Sequence, residues 1–146
     1  MSEMLANHFF LIRDYKHAAD FYEKGIVKKY RSITVRKKIV ICYVMTGQIE
    51  KAFNEFCGLI EEDIEFITNT NLASEDCPCP DIISMIERDE MHFGSQFEKY
   101  VSLGMLWLYC DIDQSIVHLK KAFALKKRNT RLIKIIDSLN SKSKEN

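Results

Sequence analysis

Arg13-Asp14-Tyr15-Lys16-His17-Ala18, followed by Tyr22, Gly25 and Ile26, recurs 34 positions later as Gly47-Gln48-Ile49-Glu50-Lys51-Ala52, followed by Phe56, Leu59 and Ile60. A fainter third copy, Cys110-Asp111-Ile112-Asp113-Gln114-Ser115, leads to Leu119, Ala122 and Phe123. A unit of this length holds two helices and a turn. It is too small to bury its own apolar face, so it must stack on a neighbour. The period predicts an all-α fold of piled helical hairpins.

Helical spacing of apolar residues extends the pattern outward from these copies. Leu5, Ala6, Phe9 and Ile12 place a first helix at 3–12, and Arg13-Asp14 makes the turn. Tyr15, Ala18, Ala19, Tyr22, Gly25 and Ile26 place a second at 15–29, where small Ala18 and Gly25 let the two helices approach. A third helix at 33–45 (Val35, Ile39, Val40, Tyr43) ends at Thr46-Gly47, a glycine stop signal. The fourth, 49–65, ends on Glu61, Glu62, Asp63 and Glu65, which oppose its dipole and point to a partner or a nearby basic patch.

The register then breaks. The third copy lies 63 residues beyond the second, where two uninterrupted units would give 68. Residues 68–80 are polar, rich in turn formers and closed by Pro78 and Pro80, so they read as a loop. Asp81 is placed to cap a short helix at 82–92. The helix at 95–109 is apolar nearly all round and should be the most buried or most partner-covered element. A helix at 112–126 follows, and Asn129-Thr130 caps a last amphipathic one at 131–139. The expected plan is a single domain over 1–140, with repeats at about 1–32, 33–66 and 96–129, an insertion at 67–95 and a capping helix at 130–140. Residues 141–146 should fray.

Composition agrees. The 146 residues are 47% hydrophobic and 11% aromatic, enough for one well-filled core and too apolar for disorder. Basic and acidic residues balance at 21 each, so no net field favours nucleic acid. The charge is nonetheless blocked. Residues 24–38 hold seven basic side chains and no acidic one, whereas 55–90 hold eleven acidic ones against Arg88. These blocks are either solvated faces or a bipolar surface that steers a charged protein partner. No basic region precedes an apolar core at the N-terminus, and no apolar run approaches the length of a membrane span. Cys42, Cys57 and Cys110 lie within apolar helical stretches and are expected as buried thiols. A cytoplasmic address follows, with no membrane partner.

The repeated residues resemble those of the tetratricopeptide repeat family. In that motif a small residue and an aromatic stand on the first helix, a Gly-Asp-Tyr-like turn follows, and Ala, an aromatic and Ala line the second. Leu5, Ala6, Phe9, Asp14-Tyr15, Ala18, Tyr22 and Gly25 match in the first copy. Tyr43, Gly47, Ala52 and Phe56 match in the second, and Asp111 and Ala122 in the third. The proline that often ends each repeat is replaced by Tyr30 and Ile64. The resemblance covers about two thirds of the chain. It implies a helical-hairpin solenoid that takes an extended peptide or helix in a concave groove lined by the first helix of each pair.

Carried onto this chain, the resemblance implies a groove of Asn7, Phe10 and Leu11, then Lys37, Lys38, Ile41 and Met45, then Tyr100, Gly104 and Trp107. Family members that clamp the C-terminal carboxylate of heat-shock chaperones use Lys, Asn and Arg there. Only Asn7 matches, with Glu3, Lys38, Phe97 and Val101 at the other positions, so no such clamp is expected. Such a groove suits an apolar segment with acidic neighbours. Plainer roles stay open: Trp107 and Phe10 as core under the lid, Lys37 and Lys38 as solvated charges.

Signals for chemistry are sparse. Cys77-Pro78-Cys79-Pro80 is the one local motif that suggests a metal, with His92 or Cys110 to complete a site. A redox pair and incidental loop cysteines are the alternatives. His8, His17, His92 and His118 have no metalloprotease spacing, the glycines form no phosphate loop, and the carboxylates show no cleft. The basic stretch with Tyr30 could track phosphates, but the acidic middle argues against RNA. The expected function is therefore a non-enzymatic protein-binding adaptor without cofactor or metal. A small chaperone for a secreted or assembly-prone client, and a homodimer formed through the 95–109 helix, are the alternatives.

Overall fold

The computed structural model describes residues 2–145, excepting the Ser2 side chain. Among the described residues there are nine α-helices and no strand. The chain divides into two compact units, residues 1–59 and 60–146. No helix among the described residues is long and apolar enough to cross a membrane.

The first unit holds α1 (Ser2–Leu11), α2 (Tyr15–Gly25), a short 3-10 turn (Lys28–Tyr30), α3 (Ile33–Met45) and most of α4 (Ile49–Glu62). α1 packs on α2, and α2 on α3. The two hairpin turns of this unit use the same backbone device at positions 34 residues apart. Gly47 has φ +77°, and the Gln48 amide reaches back to the Tyr43 carbonyl at 2.8 Å. Arg13 has φ +66°, and the Asp14 amide reaches the Phe9 carbonyl at 2.8 Å. Glycine meets this left-handed bend without strain; arginine tolerates it less well.

α1 departs from its expected register. The predicted core stripe of Leu5, Ala6, Phe9 and Ile12 is rotated, so that Ala6 and Phe10 are buried while Leu5 and Ile12 face solvent. The short helix carries large apolar residues all round, and periodicity alone could not choose between two apolar faces. α2 stops at Gly25 instead of 29, because Gly25 is a poor helix former and Ile26 leaves in an extended conformation (φ −131°).

The second unit continues through α5 (Glu65–Thr68), α6 (Cys79–Glu87), α7 (Gln96–Trp107), α8 (Ile112–Leu125) and α9 (Thr130–Lys144). α6 packs on α7, α7 on α8, and α8 on α9. The helix expected at 82–92 instead begins at Cys79 with Pro80 in its first turn, where a missing N–H costs nothing. Asp81 therefore lies inside the first turn and is not the cap. The helix ends early because Asp89 adopts φ +57°. α7 buries Val101, Ser102, Leu103, Gly104, Met105 and Leu106 in succession, but α3, with eight buried residues, is the more enclosed helix, contrary to expectation. Met105 therefore belongs to the core.

The tail expected to fray at residue 141 remains helical to Lys144. Lys142 and Ser143 tie the last turn down, Ser143 Oγ donating to Asp113 at 2.6 Å. Arg131 grips Glu61 with two nitrogens at 3.2 and 3.0 Å, and Lys142 reaches Glu65 at 2.8 Å. The hydrogen bonds from Arg131 hold the Glu61 carboxyl below its ordinary range. The unfavourable acidic end of α4 is thus answered by the basic last helix of the chain.

Side chains preceding the helices satisfy their first amides. Asp14, Ser32, Ser95, Asp111 and Asn129 all act in this way. Asp111 accepts from the amides of Asp113 at 2.9 Å and Gln114 at 3.2 Å. Asp111→Ala should therefore cost about 1 kcal/mol in urea unfolding, and Asp111→Asn only a few tenths. Equal losses in the two variants would show that the cap is not what the carboxylate supplies.

Candidate functional site

The residues expected to line a groove fall into three sets. Asn7, Phe10 and Lys38 come together in the first unit. Asn7 Oδ1 accepts the hydroxyl of Tyr22 and also Lys38 Nζ at 3.3 Å. The Lys38 ammonium lies 5.3 Å from the centre of the Phe10 ring, which also meets Tyr15 edge-on at 5.9 Å. Burial drives the Tyr22 hydroxyl upward and pushes the neighbouring Cys42 thiol up to about 12, against the pull of Lys38.

Ile41 and Lys37 form the second set, and the structure corrects them together with Phe10: all three are buried and line no open surface. Gly104 is buried as well, facing α8. For Ile41 and Gly104 the cause is one shared register. Positions 7, 41 and 104 are equivalent along the repeats, and so are 22, 56 and 119. In the first hairpin Asn7 bonds to Tyr22, and in the last Gly104 abuts Leu119. This position of the first helix therefore turns toward its own hairpin partner.

The third set stays partly accessible. Leu11 is exposed and Met45 half-buried in the first unit. In the second, Tyr100 is half-buried beneath Lys121, whose ammonium stands 5.7 Å from the ring centre. Trp107 is half-buried and stacked on His118 at 6.4 Å, its indole N–H without a hydrogen-bond partner.

What the sequence reading missed is the solvent face of α1. Met4 is 74% exposed, Leu5 44%, Leu11 58% and Ile12 56%. With His8 between them, they occupy i, i+1, i+4, i+7 and i+8, one continuous stripe opposite Ala6 and Phe10. Only the surplus of apolar residues in a ten-residue helix could have signalled a second face. Lys38, through its bond to Asn7, borders the stripe along one edge.

The cysteines also rearrange. Cys42, Cys57 and Cys79 are buried, Cys77 is half-buried and Cys110 is exposed, contrary to the expectation of a buried Cys110. Cys110 follows the last turn of α7, where its amide and that of Asp111 both bond to the Trp107 carbonyl, turning its side chain out. No group of three or more His, Cys, Asp or Glu among the described residues is arranged to hold a metal ion.

In comparisons with known proteins, no family model, curated sequence or solved structure matches the chain.

Proposed function

We propose that the chain is a protein-recognition module built on tetratricopeptide-like hairpins, binding an apolar segment with acidic residues from another protein. The 34-residue period and the matching orientation of positions 7 and 104 toward their hairpin partners, with Ile41 buried at the equivalent place, support the repeat reading. The observation that carries the functional reading is the exposed stripe of Met4, Leu5, Leu11 and Ile12 on a helix that already buries its opposite face. A contiguous apolar patch is costly to leave in water and marks a place where another surface docks. An amphipathic helix or extended segment would cover it, with i, i+4, i+7 contacts along α1. Lys38 at the border would favour a carboxylate beside the apolar anchors.

The test is the double variant Leu11→Glu/Ile12→Glu. Affinity capture with the intact protein recovers the partner, and titration with its isolated segment measures the contact. The variant should bind at least about tenfold more weakly, as expected when central apolar anchors are replaced by charge. Because both residues are solvent-exposed, unfolding free energy should shift by less than about 0.5 kcal/mol. Unchanged affinity with an intact fold would move the binding surface elsewhere.

A further inference from the structure

Among the buried and half-buried reactive groups, one pair stands out by geometry. The Cys77 thiol donates to the Cys79 sulfur at 3.0 Å, closer than two unlinked sulfurs ordinarily rest. Pro78 between them sits at φ −87°, ψ 6°, a folded turn and not an extended strand. Closing from 3.0 Å to a bond of about 2.05 Å needs a sulfur shift of only about 1 Å.

The two thiols differ in access. Cys77 is half-buried at the end of the 69–78 loop, while Cys79 is fully buried in the first turn of α6. Cys79 itself presents no surface to a reagent, whereas Cys77 does. We propose that Cys77 and Cys79 form a dithiol exchange site that accepts oxidation from low-molecular-weight disulfides.

The steps balance. The Cys77 thiolate, its proton released to solvent, attacks one sulfur of R–S–S–R. That S–S bond breaks, a Cys77–S–S–R mixed disulfide forms, and the thiolate RS⁻ departs and takes a proton from water. The Cys79 sulfur then attacks the Cys77 sulfur, the S–S bond of the Cys77–S–S–R mixed disulfide breaks, and the leaving RS⁻ receives the Cys79 proton. Two protein thiols lose two electrons and one small disulfide becomes two thiols. Burial, with the Cys77 contact adding to it, holds the Cys79 thiol well above its ordinary value, so this second step should quicken as pH rises. The exposed Cys110 is the competing thiol. Burial of part of its side chain and the nearby Cys77 and Asp111 push it up to about 11, which suppresses its thiolate at neutral pH.

The experiment incubates the reduced full-length protein with oxidised glutathione at pH 8, quenches with acid, alkylates and maps the peptides. The expected product is a disulfide within the single peptide holding Cys77 and Cys79, exceeding any Cys110 adduct by at least about tenfold. Cys42 and Cys57 should remain thiols. Cys79→Ala should stop at a persistent glutathione adduct on Cys77, a state that wild type passes through. Glutathione on Cys110 with both Cys77 and Cys79 still reduced would overturn the proposal. So would a Cys77 adduct as persistent in wild type as in Cys79→Ala. Should Cys79→Ala not fold, the wild-type map decides alone.

Discussion

Gly104→Val is expected to destabilise the protein by about 3 kcal/mol, the upper end of the cost of overpacking a filled core. A β-carbon at position 104 would overlap Cγ and Cδ2 of Leu119 and stand 3.3 Å from the Leu119 backbone nitrogen. The side chain can swing away; the backbone cannot. The same contact is tied from the other direction, because Ser115 Oγ donates to the Gly104 carbonyl at 2.6 Å in a buried setting. Any separation of α7 from α8 therefore stretches that bond while it relieves the overlap. Alanine at 104 should cost less, since its gain in helix propensity of about 1 kcal/mol offsets part of the strain. Combining Gly104→Val with Leu119→Ala should recover part of the loss, giving a coupling of about 1 kcal/mol between neighbouring sites. Strictly additive losses in a urea titration would mean that the two residues do not meet.

This close approach also shows how far the chain could be read in advance. Helix existence was legible almost everywhere, since apolar spacing and cap residues such as Ser32, Asp111 and Asn129 act locally. The rotation of a helix about its own axis was not. The family resemblance places Gly104 and Asn7 on an open groove, yet one abuts Leu119 and the other bonds Tyr22, both inside hairpins. α1 has large apolar residues on two faces, and nothing local distinguishes the face that meets α2 from the face left to water. Long-range ion pairs were equally hidden. The acidic end of α4 was rightly singled out, but that Arg131 answers it, 70 residues away, is a fact of tertiary packing. At Cys77 and Cys79 the motif was visible in the sequence. The contrast in access was not, because it depends on Pro80 opening a helix where a loop was expected to close.

Phe56→Ala is expected to cost about 3–5 kcal/mol, the range for truncating a large buried aromatic. Phe56 lies 34 residues after Tyr22 and 63 before Leu119, and all three are fully buried. Their company differs in a way that makes the second copy sensitive to polarity as well as size. Tyr22 can be a tyrosine because Asn7 accepts its hydroxyl. The residue of the second copy equivalent to Asn7 is Ile41, which is buried and has no side-chain acceptor. Phe56→Tyr, conservative in shape and already present in the first copy, would bury a hydroxyl opposite no such group. It should cost about 1–3 kcal/mol for that reason alone. Phe56→Leu keeps the site apolar and loses only part of the ring volume, so it should fall below the alanine variant. Urea unfolding of the three variants ranks them. Tyrosine as harmless as wild type, or alanine within about 0.5 kcal/mol of it, would place Phe56 at a yielding surface and not in the closed interior of its hairpin.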